Sequence, residues 1–520
     1  MKKTYNNQAE GKKSTRVLKH IPLRYIIAIL LSLLEVAAVV AIVFALCYYV
    51  PYFYLAAFAT EIFCVIKIIA SDDNPEYKVP WLLVVLILPI VGFMLYFLFY
   101  SRRLDRRLAK RIEQLDGDGY EYDDGAAYAS LEAEDITAAN QARMLKRISG
   151  SALFAGDAVE YFPSGEAKHK RLIEDLKSAE KFIFLEYFII EEGIFWNSIL
   201  DVLKQKAQAG VDVRVIYDDM GCMMTLPSDY YKTLGRYGIK ATPFAILKGN
   251  ADSEFNNRSH RKIAVIDGRV GYTGGINIAD EYINAIVKHG YWKDVAVRVE
   301  GNSVMELTRL FLNDFGMNVR HLPKREHDCY PEQKANGSGY VIPFGDGPAP
   351  LYDNRVGKSV IMDMISDARR YIYITTPYLI IDDDMCTCLE SAALSGVDVR
   401  IVLPGIPDKK IVLELSRSFY RRLMKAGVRI YEYTPGFIHA KTYVCDDKYA
   451  MVGTINMDYR SLVHNFECGM WMYNVPCISD IKKDVLEVLN VSLEITDRMN
   501  DVHLIRRFVR AAGRVFATLM

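Results

Sequence analysis

The sequence predicts an α/β protein in which two similar domains, each a mixed sheet with helices on both faces, follow an N-terminal region of transmembrane helices. Three observations predict this fold: apolar runs before residue 101, an internal repeat in the rest of the chain, and short β-branched or aromatic runs that alternate with helical patterns. The chain has 520 residues, enough for several domains. The predicted units are a membrane anchor at 1–103, a charged linker at 104–150, the two domains at 151–325 and 326–500, and an amphipathic helix at 501–520.

The composition excludes several classes of protein. Apolar residues make up 51% of the chain and charged residues 25%, so the chain is neither disordered nor collagen-like. The 64 basic and 64 acidic side chains give a net charge of zero, which argues against a general nucleic-acid binder. The nine cysteines show neither disulfide nor zinc spacing. We therefore expect reduced, mostly buried thiols and a cytoplasm-facing location for the main domains.

The three apolar runs predict membrane helices at residues 25–47, 51–70 and 81–100. The first and third are strong, because each is long enough to cross a hydrocarbon core of about 30 Å. The middle run carries Glu61 and Lys67 and is weaker. Basic residues precede the first run and follow the third, and both groups should lie inside, which requires an even number of crossings. The sequence leaves two and three crossings open and predicts a multi-pass protein of the cell membrane.

Two further segments have a mixed character. Residues 114–149 are acidic and contain glycine, which favours a solvated tether over a functional acidic patch. Residues 504–520 carry four arginines among apolar residues, which predicts an amphipathic helix. Such a helix could lie on an anionic lipid surface or dock on the protein core with its basic face in water, and we favour docking.

An internal repeat organises the chain after the linker. Residues 181–185 (KFIFL) are matched 189 positions later by residues 370–374 (RYIYI), and the GVDVR of residues 210–214 recurs 186 positions later. Offsets this consistent indicate a gene duplication. Within each half, alternating strand and helix patterns predict a parallel or mixed sheet with helices on its faces. Two similar domains that pack face to face follow from this repeat.

The repeat includes polar residues that can carry chemistry, in the pattern H-x-K-x4-D. Its members are His260, Lys262 and Asp267 in the first half and, 179 positions later, His439, Lys441 and Asp446 in the second. At the same offset, residues 274–277 (GGIN) match residues 453–456 (GTIN). One such pattern alone would be a weak signal, whereas two in register within a duplication are a strong one.

Strand geometry explains the spacing. Residues i and i+2 of a strand point to the same face, so each histidine projects together with its lysine. Asp267 and Asp446 stand at an odd offset from the lysine and face away, so they are interpreted as residues that fix a loop or pair a basic group. Asn277 and Asn456 add amide donors, and the whole set predicts a site for a tetrahedral anion, phosphate above all. A lysine beside a histidine is a poor metal environment, so we predict neither a metal nor a cofactor.

The paired motifs, with the G-G-x-N and G-T-x-N that follow them, resemble the phospholipase D superfamily. Four further segments resemble the bacterial cardiolipin synthases of that superfamily, and with the apolar start the resemblance covers the whole chain. They are residues 73–81 (DNPEYKVPW), 257–262 (NRSHRK), 291–294 (YWKD) and 376–378 (TPY). Ser259 departs from the family, which often has Asn there, and so do three apolar runs where two are usual.

The resemblance implies two tandem phospholipase D-like domains and a phosphohistidine mechanism. One imidazole attacks phosphorus, and the other protonates the leaving alcohol and then deprotonates the incoming one. We assign His260 as the nucleophile and His439 as the acid and base. The residues that would hold the non-bridging oxygens are Lys262, Lys441, Asn277 and Asn456. Asp294 and Glu467, each shortly after its motif, are candidates for orienting the imidazoles, with an ordinary surface or ion-pair role as the alternative.

The class of reaction depends on what attacks the intermediate: water would make a hydrolase, and an alcohol a transferase. The membrane region favours lipid donors and acceptors, and residues 357–359 (GKS) lack the first glycine of a Walker motif. We therefore predict cardiolipin synthesis from two phosphatidylglycerols with release of glycerol. The alternatives are a phospholipid hydrolase, a phosphatidylserine synthase and, less well supported, a membrane-tethered nuclease. The predicted partners are phosphatidylglycerol and membrane lipid, not nucleic acid, and self-association as a homo-oligomer stays open.

Overall fold

A computed structural model describes most of the chain. The described residues are 23–49, 51–71, 73–88, 90–100, 110–112, 114–115, 122–245, 257–318, 329–331, 333, 336–496, 499 and 503–516. The predicted domain boundaries at 103/104, 325/326 and 500/501 lie outside these residues, as do most of the basic residues that flank the apolar runs.

Strands and helices alternate after residue 150, as the sequence patterns predict. The helices are α1 (Leu23–Tyr49), α2 (Pro51–Ala70), α3 (Pro75–Ile87), α4 (Val91–Phe99), α5 (Gly125–Glu134), α6 (Ile136–Ser149), α7 (Gly165–Ser178), α8 (Ile194–Gln208), α9 (Tyr230–Gly235), α10 (Val304–Asn318), α11 (Val356–Asp367), α12 (Asp383–Leu394), α13 (Lys410–Lys425), α14 (Tyr459–Val463), α15 (Ile478–Asn490) and α16 (Leu504–Phe516). A 3₁₀ turn covers Asp280–Ile283.

The strands fall into two sets that repeat each other. They are β1 (Phe154–Ala155), β2 (Ala158–Phe162), β3 (Phe182–Tyr187), β4 (Asp212–Asp218), β5 (Lys240–Phe244), β6 (Lys262–Ile266), β7 (Val270–Gly274), β8 (Tyr291–Lys293), β9 (Ala296–Glu300), β10 (Tyr340–Asp346), β11 (Tyr371–Thr375), β12 (Leu379–Ile380), β13 (Asp398–Pro404), β14 (Arg429–Tyr433), β15 (Gly436–Ile438), β16 (Thr442–Cys445), β17 (Tyr449–Gly453), β18 (Met457–Asp458), β19 (Glu467–Tyr473) and β20 (Ser492–Glu494).

Both halves build the same mixed sheet. The first sheet has the strand order β2-β9-β7-β6-β3-β4-β5, and the second has β10-β19-β17-β16-β11-β13-β14 with β1 and β20 added at its edges. In each sheet the strands that flank the GVDVR strand pair with it in parallel, and the other pairs are antiparallel. The structure therefore confirms the predicted α/β fold with a duplicated mixed sheet.

The two sheets share one apolar core, which places the halves face to face. Val265 and Val297 of the first sheet pack in the same cluster as Val444 and Val452 of the second, together with residues of α10 and α15. The other face of the first sheet is covered by α7 and α8, and that of the second by α11, α12 and α13. Burying both inner faces against each other brings the ends of β6 and β16, and so the two motifs, to a common place.

The N-terminal helices attach to the second half beside its motif. Tyr77 and Trp81 of α3 pack in one buried cluster with Tyr459 of α14, and the rings of Tyr77 and Tyr459 stack with centroids 5.8 Å apart. Nδ2 of Asn74 donates a hydrogen bond of 2.9 Å to Asp382. Within the described residues, no helix combines the length and the apolar character that a membrane crossing needs.

The predicted tether at residues 114–149 is wrong over its second part. Residues 125–149 form α5 and α6, and Ala138, Ala142 and Leu145 of α6 are buried in the core of the second half. Gln141 extends this contact, because its side chain donates to Asp367 at 2.6 Å and accepts from Trp471 at 3.1 Å. The apolar residues of these helices recur at helical spacing, and their burial outweighs the acidic composition that suggested a tether.

The C-terminal helix docks on the second half. Arg506 and Arg510 of α16 donate to Glu414 of α13 at 2.9 and 3.1 Å, and the guanidinium of Arg514 lies 4.7 Å from the centre of the Phe419 ring. The helix therefore docks on the protein, as favoured, but the predicted basic face in water is wrong for Arg510, which is 8% exposed, whereas Phe508 is 74% exposed.

Candidate active site

Each motif histidine is fixed to the opposite half of the molecule by its backbone. The amide of His260 donates to the carbonyl of Phe466 at 2.8 Å, and the amide of His439 donates to the carbonyl of Lys293 at 2.7 Å. Strand β15, which ends just before His439, pairs in parallel with β8 of the first half. The two motifs therefore form one composite site where the halves meet.

The imidazoles are held by carboxylates that cross between the halves. Nδ1 of His260 lies 2.9 and 3.0 Å from the carboxylate oxygens of Glu467, and Nδ1 of His439 lies 2.7 Å from Oδ2 of Asp294. Both carboxylates are fully buried, and the histidines are only 8% and 7% exposed. The structure thus brings both predicted carboxylates to the histidines, each to the histidine of the other half.

The two lysines lie beside the histidines and are fully buried. Nζ of Lys262 donates to the carbonyl of His260 at 2.6 Å, and its charge lies 5.4 Å from the centre of the Phe188 ring. Nζ of Lys441 lies 2.9 Å from Nδ1 of His439 and also donates to the carbonyl of that residue. Because burial disfavours charge, the pKa of Lys262 lies well below its usual value and that of Lys441 is lowered to about 8.

Burial keeps both imidazoles neutral at pH 7. It lowers the pKa of His260 to about 4, with Lys262 and Lys441 adding to the effect and Glu467 opposing it. It lowers the pKa of His439 to about 3, again with both lysines adding to the effect. Each lysine therefore acts on both histidines, which shows how closely the four groups share one electrostatic environment.

The carboxylates remain ionised although they are buried. Burial raises the pKa of Asp294, but His439 and Lys441 outweigh it, and the net shift is downward. For Glu467, His260, Lys262 and a hydrogen bond outweigh burial in the same way, so its pKa is also lowered. An ionised carboxylate accepts a hydrogen bond from the protonated Nδ1, which leaves Nε2 of each imidazole for chemistry.

The two asparagines are anchored by one side-chain donor each. Nδ2 of Asn277 donates to the hydroxyl of Tyr282 at 2.8 Å, while its Oδ1 accepts from the amide of Ile189 at 3.0 Å. Nδ2 of Asn456 donates to Asp458 at 2.9 Å. An amide nitrogen carries two hydrogens, so each side chain keeps a second donor for an anion.

The two motif aspartates hold the chain at the start of a central strand. Asp267 accepts from the amides of residues 180, 181 and 182 at 2.8, 2.7 and 2.8 Å. Asp446 accepts from the amides of residues 369, 370 and 371 at 2.6, 2.9 and 2.9 Å. Both residues adopt the left-handed region, with φ of 53° and 54°. Although they belong to the motif, they tie strands together and form no hydrogen bond to a histidine within the described residues.

Comparison with known proteins fits this geometry. The family model described as "Cardiolipin synthase, PLD-like domain" matches residues 172–306 and 361–488, and "Phospholipase_D-nuclease N-terminal" matches residues 62–99. Proteins named cardiolipin synthase from Alkalihalophilus pseudofirmus and Staphylococcus aureus are each 32% identical to the chain; the alignments cover 88% and 85% of this chain and 92% and 91% of theirs. The chain belongs to the cardiolipin synthase family of the phospholipase D superfamily.

Two other matches complete the comparison. A Streptococcus mutans protein described as uncharacterized is 44% identical, with 83% of this chain and 94% of that protein aligned. The crystal structure of phosphatidylserine synthase from Haemophilus influenzae superposes with a TM-score of 0.56 at 16% identity, covering 73% of this chain and 97% of that one. At this identity the superposition supports the fold alone, and the fold is that of the family.

Buried ion pairs hold the residues on either side of His260, and the sequence does not predict them. Arg258 forms a bidentate pair with Asp218, with distances of 2.8 to 3.1 Å, and Arg261 donates to Asp314 at 2.8 Å. Ser259, the departure noted in the sequence, donates to Glu186 at 2.5 Å. The only sequence signal for them is the cluster of polar residues at 257–262, because their partners are 40 or more positions away.

Among the described residues, no group of three or more histidine, cysteine, aspartate or glutamate side chains is placed to hold a metal ion. The eight cysteines from Cys64 onward are free thiols, and all except Cys388 are buried.

Proposed function

We propose that the protein transfers a phosphatidyl group from one phosphatidylglycerol to the headgroup hydroxyl of another, releasing glycerol and forming cardiolipin. The observation that carries this proposal is the pair of buried imidazoles, each held at Nδ1 by a carboxylate of the opposite half and each beside a buried lysine. Two equivalent imidazoles suit a reaction in two matched steps, in which one forms a covalent bond and the other moves a proton.

In the first step, Nε2 of His260 attacks the phosphorus of the donor lipid. A nitrogen–phosphorus bond forms as the bond from phosphorus to the glycerol headgroup breaks. His439 gives the proton on its Nε2 to the departing glycerol oxygen. Glu467 stabilises the positive charge that develops on His260, because its carboxylate accepts from Nδ1.

In the second step, the acceptor hydroxyl attacks the phosphohistidine. Neutral His439 takes the proton of that hydroxyl as the new oxygen–phosphorus bond forms and the nitrogen–phosphorus bond breaks. Both histidines return to their starting states, and the product carries two phosphatidyl groups on one glycerol. The two steps exchange one phosphodiester for another, so the reaction requires no nucleotide.

Lysine and asparagine donors stabilise the phosphate as charge accumulates on its non-bridging oxygens. Lys262 and Lys441 supply positive charge, and Asn277 and Asn456 each supply an amide hydrogen. Binding of the phosphate also allows His439 to be protonated. Its negative charge offsets the two lysines that lower the pKa of this histidine, so that the imidazole can carry the proton it must donate.

The N-terminal helices support a lipid substrate and an integral location in the cell membrane. The side chains of Leu34, Phe44, Leu55 and Ile66 on α1 and α2 are 65%, 72%, 69% and 59% exposed, whereas α3 and α4 pack on the second half. Exposed apolar side chains in such density suit contact with acyl chains. This arrangement would present the composite site to the membrane surface, where both donor and acceptor are found.

The GKS sequence at residues 357–359 gives no support to a nucleotide. These residues lie in the first turn of α11, and Lys358 is bound to Asp382 at 2.5 Å and to Asp384 at 2.9 Å. A lysine held by two carboxylates is already neutralised and does not serve a phosphate loop.

A product assay tests the proposal. The purified full chain is added to phosphatidylglycerol vesicles without nucleotide or divalent cation, and cardiolipin and glycerol are measured beside His260→Ala and His439→Ala variants. We expect equal amounts of both products, and none from either variant. Phosphatidic acid with little cardiolipin would make the protein a hydrolase, and transfer to serine in a parallel reaction with added serine would make it a phosphatidylserine synthase. No lipid turnover by the folded protein would contradict the proposal and lead to an assay on nucleic acid.

A further inference from the structure

The two halves differ in charge at one pair of equivalent positions next to the site. Glu281 lies four residues after Asn277, and Arg460 lies four residues after Asn456, at the common offset of 179. Glu281 is buried and its Oε1 is bound to Lys288 at 2.7 Å. The duplication therefore keeps the histidines, lysines and asparagines but reverses the charge at this position.

Among the described residues, Arg460 has no carboxylate partner. Its Nη2 is buried and makes no hydrogen bond within the described part of the chain. The nearest acid along the chain, Asp458, is already engaged, because it accepts from Nδ2 of Asn456 at 2.9 Å and from the amide of Ser461 at 2.8 Å. An arginine buried in this way suits an anion that the protein itself does not supply.

The other cations around the site are committed. Lys262 and Lys441 lie at the two histidines. Arg258 and Arg261 are fully engaged with Asp218 and Asp314 in buried pairs. Lys168 lies 3.3 Å from the hydroxyl of Tyr187 and 3.4 Å from the carbonyl of Ile276. Of the arginines among these cations, Arg460 is the one without a carboxylate partner within the described residues.

Arg460 lies on the His260 side of the composite site. Burial lowers the pKa of its guanidinium, and the charges that act on it include Asp458, Asp218 and Glu467, the carboxylate that holds His260. Its carbonyl accepts from the amides of His464 and Asn465, which fixes the turn leading into Glu467. An anion bound by Arg460 would therefore lie beside the segment that carries Glu467, the carboxylate of His260.

The proposed reaction brings a second phosphate into the site. Both lipids carry a phosphodiester, and the lysine and asparagine pairs serve only the one under attack. We propose that Arg460 binds the phosphate of the acceptor phosphatidylglycerol and so selects a phospholipid, rather than water or a free alcohol, as the second substrate. This inference rests on the proposed function and adds the group that recognises the acceptor.

Two reactions of the same enzyme separate this role from a structural one. Cardiolipin formation needs the acceptor phosphate, whereas exchange of labelled free glycerol into phosphatidylglycerol uses the same donor and the same histidines without it. Full-length Arg460→Gln, Arg460→Lys and Arg421→Gln are assayed for both reactions over a range of phosphatidylglycerol mole fractions in neutral vesicles. Arg421, an exposed arginine on α13, is the matched control for loss of one positive charge.

We expect Arg460→Gln to reduce cardiolipin formation about 10- to 100-fold at low phosphatidylglycerol, which is the effect of losing one charged hydrogen bond. The same variant should keep glycerol exchange within about twofold of the wild type. Arg460→Lys should recover part of the loss, and Arg421→Gln should match the wild type in both reactions.

Three results would overturn the inference. Equal loss of both reactions in Arg460→Gln would show that Arg460 serves the donor or the fold, and no loss in either would show that it binds no substrate. Equal loss of cardiolipin formation in Arg460→Gln and Arg421→Gln would show that the loss comes from the lower net charge of the protein and not from a site at Arg460. A wild type that performs neither reaction would instead contradict the proposed function, so the two failures are distinguishable.

Discussion

The two halves of the molecule present the same site with different supporting residues. In one, Glu467 holds His260 and also accepts from the hydroxyl of Thr454. In the other, Asp294 holds His439, and the residue equivalent to Thr454 is Gly275. A Cβ atom at Gly275 would lie only 2.1 Å from Oδ1 of Asp294. The side chain that supports the longer carboxylate in one half would therefore collide with the shorter carboxylate in the other.

This difference shows that the two halves keep the same arrangement of histidine and carboxylate while the residues that support the carboxylate have changed. Each half supplies a histidine and the carboxylate for the other histidine, so neither half contains a working site alone. Two of the changes since duplication go together: the half with Glu467 has Thr454, and the half with Asp294 has Gly275. A third change is the reversed charge at Glu281 and Arg460. Variants that alter one half at a time can test which differences matter.

The largest effect is expected when a crossed carboxylate loses its charge. Glu467→Gln and Asp294→Asn should each reduce the rate of cardiolipin formation about 10³- to 10⁴-fold, because the amide no longer stabilises the charged imidazole or fixes its tautomer. Rates of lipid turnover measured beside thermal unfolding check this, with unfolding temperatures near that of the wild type as the control. A loss below about tenfold in either variant would show that the carboxylate does not act through its histidine.

Substitutions of Gly275 and Thr454, the equivalent residues beside the two carboxylates, should reduce the rate less, and by different amounts. Gly275→Ala should reduce the rate about 100-fold, because the added methyl group displaces Asp294 and misplaces His439. Thr454→Ala removes a hydroxyl that donates to Glu467 and accepts from the amide of Cys468 at 2.9 Å. Glu467 keeps His260 as a partner, so we expect about a tenfold loss. The comparison uses initial rates under identical vesicle conditions. Equal losses of rate in the two variants would show that a methyl group at position 275 does not displace Asp294.

The sequence predicts much of this site because duplication repeats what chemistry requires. Both His-Lys pairs and both asparagines follow from residues that recur in register. Asp294 and Glu467 do not recur at that offset and are only candidates, because each stands shortly after its motif. The crossing of the carboxylates does not follow, since it depends on how the two sheets pack. The partners of Arg258 and Arg261 are hidden for a different reason, because each comes from a distant segment of the first half itself.

The least predictable part of the fold lies between the N-terminal helices and the first sheet. Residues 114–149 are rich in acidic side chains, which indicates a tether, yet Leu131 and Leu145 are buried in two helices against the second half. Sparse apolar residues at helical spacing are a weak signal in a single sequence. The surface that buries them is formed by residues more than 200 positions later, so composition alone cannot reveal it.

The smallest predicted effect concerns pH and the neutral imidazoles. In the folded protein the pKa values of His260 and His439 are lowered from 6.5 to about 4 and about 3, so the unfolded chain binds protons first as the pH falls. The free energy of unfolding should therefore fall as the pH falls from about 6.5 to 4. Both His260→Asn and His439→Asn should flatten this slope in thermal unfolding series. A slope unchanged in both variants would contradict neutral, buried imidazoles.

His260 and His439 have almost the same surroundings but different proposed roles, nucleophile and acid–base. Phosphatidylglycerol labelled at phosphorus, mixed with the wild-type protein and quenched in base after milliseconds, measures these roles directly. The account predicts label on the peptide that contains His260, stable in base and labile in acid, and absent from the His260→Asn variant. Label on the peptide that contains His439, or cardiolipin formed at full rate with neither peptide labelled, would contradict it.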